Sequence, residues 1–179
     1  YGASDVRVSD LDTEAPAVWF TDAGGVPHEV RAELVVGCDG ARGICRDLIP
    51  EATRRRYQRD YPYAWLGIVT QAEVSSPELI YAHSEHGFAL ISQRTGEDQR
   101  MYLQCDPGTS LDEWSDERIW EQLQARVAGM DGFRLNEGPI VDRMLLNFRS
   151  FVQEPMQWGR LVLAGDAAHT VPPTGARGL

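Results

Sequence analysis

Cysteine is scarce in this chain of 179 residues, which holds only Cys38, Cys45 and Cys105. An odd count with no C-x-x-C pair supports neither a disulfide framework nor a zinc site, so buried thiols in a reducing compartment are expected. Long apolar runs are missing too. No stretch approaches the roughly 18 apolar residues that span a bilayer, and no basic segment followed by an apolar one opens the sequence. A cytoplasmic protein is expected. Positive charge is in deficit: 17 Lys and Arg stand against 27 Asp and Glu, a net charge of -10. A polyanionic surface repels nucleic acid and anionic lipid, which leaves small molecules as the expected partners. Internal repeats and low-complexity tracts are absent. What remains is an ordinary globular composition, 42% hydrophobic and 25% charged, sufficient to bury a core.

The opening DVRVSDLDTEAPAVWFTDAGGVPHEVRAELVVGCDG alternates apolar and polar residues around Ala23-Gly24-Gly25, where a hairpin turn belongs. It predicts an antiparallel meander leading into Leu34-Val35-Val36, an unbroken apolar run ending at Gly37, as a strand covered on both faces would. The basic, aromatic, proline-marked RRRYQRDYPY reads as a crossing between domains. Beyond it WLGIVTQAEV, LIYAHS, GFALISQR and RMYLQCD read as strands of an antiparallel sheet. Ser110 and Glu113 resemble a capping box, and Ile119, Trp120, Leu123 and Val127 recur at helical spacing, predicting one amphipathic helix packed across that sheet. FRSFVQEPMQWGR then returns the chain to LVLAGD, a second buried strand. The fold class expected is α+β with α/β character, divided at 1–56, 57–155 and 156–179.

LVVGCDG at 34–40 and LVLAGDAA at 161–168 share one design, an apolar strand delivering Asp39 or Asp166 beside Gly40 or Gly165. In open α/β sheets ligands bind beyond the carboxyl ends of strands, where glycine lets the backbone come close. A carboxylate there can accept hydrogen bonds from ribose or ribityl hydroxyls. Taken singly, each motif is more often a plain turn, and it is the occurrence of two in one chain that favours a ligand site. Pro172-Pro173-Thr174-Gly175 fixes the backbone, either as a rigid surface loop or with Thr174 capping a following helix. His169 has no metal ligand near it in sequence and reads as a packing or hydrogen-bonding side chain. Ser92 and Arg94 fall on one strand face, where a guanidinium beside a hydroxyl can hold a carboxylate in a fixed plane; an exposed ion pair is the other reading of Arg94. Tyr81 and Tyr102, on adjacent predicted strands, either hydrogen-bond a ligand hydroxyl or simply pack. Arg42, Arg46, Arg100 and Arg149 either meet phosphate or face solvent.

GCDGARGICR resembles the Asp-Gly fingerprint, and RLVLAGDAAHTVPPTGARGL the Gly-Asp fingerprint, of the single-component FAD-dependent aromatic hydroxylases. YPYAWLGI, ELIYAHSEHGFALISQR, WSDERIWEQLQAR and RSFVQEPMQWGRL resemble the branch of that family that acts on 4-hydroxybenzoate, so the likeness runs over nearly the whole chain. The resemblance implies parts of a Rossmann-like FAD-binding domain together with an antiparallel-sheet substrate domain and its covering helix. It implies that Asp166 binds the FAD ribityl chain, with Gly165, Thr174, Gly175, Gly178 and Leu179 along the same cofactor. Asp39 and Gly40 would sit where flavin and nicotinamide binding meet. Ser92, Arg94 and Tyr102 would grip the substrate carboxylate, while Tyr81 would hydrogen-bond the substrate phenol and favour its ionisation, with the Pro173 carbonyl close to the same hydroxyl. Arg42, Arg46 and Arg149 would fall in the NAD(P)H region and Arg100 in a segment coupled to flavin position. Arg42 and Cys45 depart from the family pattern, which has histidine and serine there, so NADH stands beside NADPH as reductant.

The implied activity is hydroxylation of 4-hydroxybenzoate to 3,4-dihydroxybenzoate with FAD, NADPH and O2, in a homodimer without nucleic-acid or membrane partners. The family's opening G-x-G-x-x-G unit and C-terminal helices are not among these residues. The chain therefore reads as an internal segment, expected to bind FAD poorly and to be inactive in isolation. A related hydroxylase of another phenolic or aminobenzoic acid, or a non-catalytic nucleotide-binding module, are the alternatives. Tyr81, Ser92 and Arg94 count against the module, because a pure scaffold needs no such polar set.

Overall fold

The computed structural model describes residues 2–129 and 132–175. In chain order its strands are β1 (Ser4–Ser9), β2 (Ala17–Thr21), β3 (Pro27–Arg31), β4 (Val35–Gly37), β5 (Arg55–Gln71), β6 (Ile80–Ser84), β7 (Gly87–Gln93), β8 (Asp98–Cys105), β9 (Ile140–Glu154), β10 (Gln157–Trp158), β11 (Leu161–Leu163) and β12 (His169–Thr170). Two helices, α1 (Cys45–Leu48) and α2 (Asp116–Val127), complete the set. The chain divides into two compact units, residues 1–60 with 149–179 and residues 61–148.

In the first unit β1, β2 and β3 form an antiparallel meander. Asp22 builds its second turn: Oδ1 accepts from the Gly24 and Val26 amides at 2.9 Å each, and Gly25 takes a φ of +80° that other residues resist. β4 then pairs in parallel with β11, whose other edge carries β10. Val35, Cys45, Ile49, Leu161, Leu163 and Ala168 make the core beneath this small sheet. Gly37 lets α1 sit directly on β4, because a Cβ there would come 2.6 Å from the Cβ of Cys45. The expectation that this strand is covered on both faces fails, because Val36 points outward at 52% exposure; among the described residues β4 is also the edge of its sheet.

The second unit holds a sheet in the order β9-β5-β8-β7-β6, with β5, β8, β7 and β6 paired antiparallel in turn. Alternation sends Leu66, Ile68, Ala89, Ile91, Met101 and Leu103 to one face, where they pack against Ile119, Trp120, Leu123 and Val127 of α2. Ser115 is the residue that caps α2, its Oγ accepting from the Arg118 amide at 3.3 Å, whereas Ser110 caps only a 3₁₀ turn over Leu111–Glu113. RRRYQRDYPY does hold the boundary between the two units, which falls between Asp60 and Tyr61, but it crosses as strand: from Arg55 on it forms the first half of β5, whose sheet neighbour is β9. No helix among the described residues is long and apolar enough to cross a membrane.

Candidate functional site

Leu163 of β11 stands opposite Gly37 of β4 in a parallel register, so the Cys38-Asp39-Gly40 and Ala164-Gly165-Asp166 turns leave one end of the sheet side by side. The Ala164 amide donates to the Gly37 carbonyl at 3.0 Å and joins them. Gly40 and Gly165 take φ values of +76° and +58°, and a Cβ on either would meet nothing within 4 Å. Backbone conformation, not crowding, demands glycine there, and the main chain is left open to a ligand.

The two carboxylates behave differently. Asp39 turns onto its own loop, Oδ2 accepting from the Cys45 amide at 2.8 Å, and Gly43 is required because a Cβ would lie 2.0 Å from the Asp39 Cγ. Burial first, and the Asp39 carboxylate second, push the Cys45 thiol up to about 12. That sulfur stays protonated. Asp166 is exposed and its carboxylate has no partner among the described residues, so it can accept from ligand hydroxyls. An open acceptor carboxylate beside unhindered glycine backbone, at the carboxyl end of a parallel strand pair, suits a polyol chain carrying a flat ring system.

Arg46 crosses between the turns. Its Nη2 donates to the Gly40 carbonyl at 3.3 Å and to the Asp166 carbonyl, and the guanidinium lies 4.4 Å over the Phe151 ring. Gln153, fully buried, anchors this arrangement: Nε2 donates to the Arg46 carbonyl at 2.8 Å and Oε1 accepts from Arg56 Nε at 2.7 Å. Arg56 also holds Asp47 at 2.5 Å, and that contact keeps the Asp47 carboxyl below its ordinary range. Sequence reasoning missed Gln153 and Arg56; the available signal was a glutamine at an inward position two residues past Phe151 on β9.

The other residues of this unit are placed as follows. Arg149 forms an exposed ion pair with Asp60, Nε to Oδ1 at 2.7 Å, and Arg42 is exposed. His169 lies in β12, paired with Val152. Pro173 opens an exposed 3₁₀ turn ending at Gly175, with Thr174 inside it, and the following helix that Thr174 was expected to cap falls outside the described residues. Gly178 and Leu179 lie outside the described residues.

In the second unit the register aligns Tyr81, Leu90, Tyr102 and Gly67 in a row across β6, β7, β8 and β5, on the sheet face away from α2. Tyr81 and Tyr102 are therefore not on adjacent strands: consecutive hairpins put β7 between them. Tyr81 is 55% exposed. Tyr102 packs on Trp65 with ring centroids 5.2 Å apart, over Gly67, where a Cβ would come 3.1 Å from the tyrosine ring. In the next row Ser92 stands opposite Arg100 and its Oγ donates to the Arg100 carbonyl at 3.0 Å. Arg94 lies one residue past β7, although the ladder continues through its amide to the Asp98 carbonyl at 2.9 Å. Its guanidinium is exposed and has no partner among the described residues. Trp65, Leu90 and Phe148, with Phe88 and Tyr102 against them, form an aromatic floor that sequence reasoning did not single out.

The chain matches the FAD binding domain family over residues 3–179. It is 40% identical over 179 residues to the p-hydroxybenzoate hydroxylase of Acinetobacter baylyi, a likeness that covers 100% of this chain and 44% of that protein. It is 30% identical over 194 residues to the 2-heptyl-3-hydroxy-4(1H)-quinolone synthase of Pseudomonas aeruginosa, covering 99% of this chain and 46% of that one. The chain thus spans less than half the length of these curated relatives. Among solved structures, a ternary complex of aklavinone-11 hydroxylase with FAD and aklavinone superposes with a TM-score of 0.73 at 21% identity, covering 99% of this chain and 34% of that one. The flavin-dependent halogenase CmlS does so with a TM-score of 0.69 at 20% identity, covering 98% and 32%. These two share the fold. With glycine-aspartate turns leaving one end of a parallel strand pair, and a family match that reaches from residue 3 to residue 179, the chain belongs to the FAD binding domain family.

Proposed function

We propose that this chain is the ribityl-holding and substrate-holding portion of an FAD-dependent monooxygenase that converts 4-hydroxybenzoate to 3,4-dihydroxybenzoate with NADPH or NADH and O2. The observation that carries this reading is the polar set of Tyr81, Ser92 and Tyr102 on one sheet face, with Arg94, which has no partner among the described residues, just past the end of the strand that holds Ser92. A benzoate carboxylate calls for a guanidinium and neighbouring hydroxyls, and Arg94, Ser92 and Tyr102 supply them. A phenol calls for a hydroxyl partner, which Tyr81 supplies.

The residues at the strand ends fit FAD. Asp166 would accept from the ribityl hydroxyls, with the backbone of Gly165 beside it and Arg46 holding the turn in place. Bound FAD supplies electron transfer from the reduced nicotinamide and the activation of O2. Tyr81 stabilises the ionised substrate phenol, which raises electron density on the carbon beside the hydroxyl. Arg94 fixes the ring orientation and so decides which carbon is presented. The Trp65, Phe88 and Phe148 floor keeps water from the ring.

The test uses the full-length enzyme. 4-Hydroxybenzoate should stimulate NADPH oxidation, and Arg94→Ala should raise its KM roughly ten- to a hundredfold, the loss of one charge-assisted hydrogen bond. Stimulation by a different phenolic or aminobenzoic acid alone overturns the substrate assignment, and an unchanged KM overturns the role of Arg94.

A further inference from the structure

Two buried N–H donors in the second unit have no acceptor among the described residues. Trp114 is 6% exposed and Arg126 is 7% exposed, and neither Trp114 Nε1 nor Arg126 Nε has a hydrogen-bond partner among the described residues. Native proteins seldom leave such groups unpaired, because a buried donor without an acceptor loses its hydration and gains nothing for it. Both residues line a single polar cavity of about 450 Å³, together with His86, Gln104, Cys105 and Arg118. None of Tyr81, Ser92, Arg94 or Tyr102 borders it.

The surroundings of Arg126 leave its charge unanswered. Nη1 donates to the carbonyl and the Oε1 of Gln122 at 2.8 Å each, and Nη2 reaches the Gln104 carbonyl only at 3.4 Å. No carboxylate pairs with it among the described residues, and burial lowers its pKa as expected for a dry cation. Gly87, held at a φ of +102° that favours glycine, borders the guanidinium, and a Cβ there would sit in ordinary contact with it, 3.6 Å from Nε. Arg118 stacks 4.4 Å over Trp114 and adds a second guanidinium to the lining. Asp106 and Glu113 also border the cavity. Their charge disfavours a dianion, and a neutral donor would leave both N–H groups unpaired.

We propose that this cavity binds a small carboxylate whose oxygens accept the hydrogen bonds of Arg126 Nε and Trp114 Nε1, at a site separate from the Tyr81, Ser92 and Tyr102 face. Formate is the probe. In the full-length enzyme, at ionic strength held constant with sodium sulfate, formate should raise the thermal midpoint along a saturable curve. Trp114→Phe, which keeps the ring and removes the donor, should weaken the apparent affinity about tenfold or more, as should Arg126→Gln. Trp114→Phe decides the matter by itself if Arg126→Gln does not fold. A linear, unsaturable response, an equal response in Trp114→Phe, or a formate-soaked crystal in which water alone bridges the two donors would each overturn the site.

Discussion

Replacing Gln153 by Leu keeps the bulk of a fully buried side chain and removes its amide. Two hydrogen bonds go with it, one to the Arg56 guanidinium and one to the Arg46 carbonyl. A bond to a charged group contributes about 1.5–3 kcal/mol and a neutral one about 0.5–1.5 kcal/mol. Both former partners retain something: Arg56 keeps Asp47, and the Arg46 carbonyl keeps Arg56 Nη2 at 3.3 Å. The loss should therefore fall near the lower end, about 2–3 kcal/mol, a large share of the 5–15 kcal/mol that typically separates folded from unfolded domains. Urea unfolding of the full-length protein reads this as a lower midpoint at unchanged slope. Because Arg46 joins the two glycine-aspartate turns, FAD affinity should fall as well, by about tenfold. Gln153→Glu separates the contributions, since it keeps an acceptor for Arg56 and loses the donor to Arg46. A destabilisation below about 1 kcal/mol in Gln153→Leu, with FAD affinity unchanged, would refute the claim that this amide holds the turns.

Gly43→Ala should force Asp39 off the Cys45 amide, because the new Cβ would lie 2.0 Å from the Asp39 Cγ; a loss of about 1.5–3 kcal/mol in urea is expected, and wild-type stability would contradict it. Gly67→Ala places a Cβ 3.1 Å from Tyr102 and from Met144, so KM for the aromatic acid should rise severalfold with a smaller change in kcat, and steady-state kinetics of the full-length enzyme check this. In the folded protein at pH 8, exposed Cys38 should alkylate with iodoacetamide while Cys45 should not, as peptide mass mapping would report. The Cys45 thiol is pushed up to about 12, so stability should be intact below the unfolded thiol value and decline as pH climbs from about 9 toward 12, where only the unfolded chain ionises first. Cys45→Ala should flatten that alkaline decline.

The elements legible in the sequence are those whose signal is local. The Ala23-Gly24-Gly25 turn, the apolar run of β7, the alternation in β8, and the spacing of Ile119, Trp120, Leu123 and Val127 each carry their own physical cause within a few residues. β5 is not legible at its start because Arg55 to Asp60 are all exposed and all polar but Tyr57, and a stretch with no buried apolar side chain leaves no apolar period. The capping signal was ambiguous for a related reason. Ser110 and Ser115 both accept from a nearby amide, and only the burial of Ile119 and Leu123 against the sheet decides that the helix grows from the second. Likewise, β6, β7 and β8 are consecutive hairpins, so the third strand cannot neighbour the first, a topological fact that pairwise reading of Tyr81 and Tyr102 overlooks.

The two aspartates show where motif reading stops. Asp39 and Asp166 follow equivalent apolar strands and sit next to equivalent glycines, yet one carboxylate is taken up by its own chain and the other is open. The difference lies in what comes next. After Asp39 the chain turns through Gly43 into α1, whose first amides point back toward the acid and need an acceptor. Asp166 sits inside a 3₁₀ turn, Gly165–Ala167, in which the Ala168 amide already reaches the Gly165 carbonyl, so no main-chain donor claims the side chain. Arg46 completes the asymmetry by binding main-chain carbonyls at both turns and neither carboxylate. Such contacts join positions more than a hundred residues apart, as Arg46 with Asp166 and with Gln153, and no local spacing encodes them. The acid that can serve a ligand hydroxyl is thus set by the length and shape of the turn behind it, a property of the fold and not of the Gly-Asp pair.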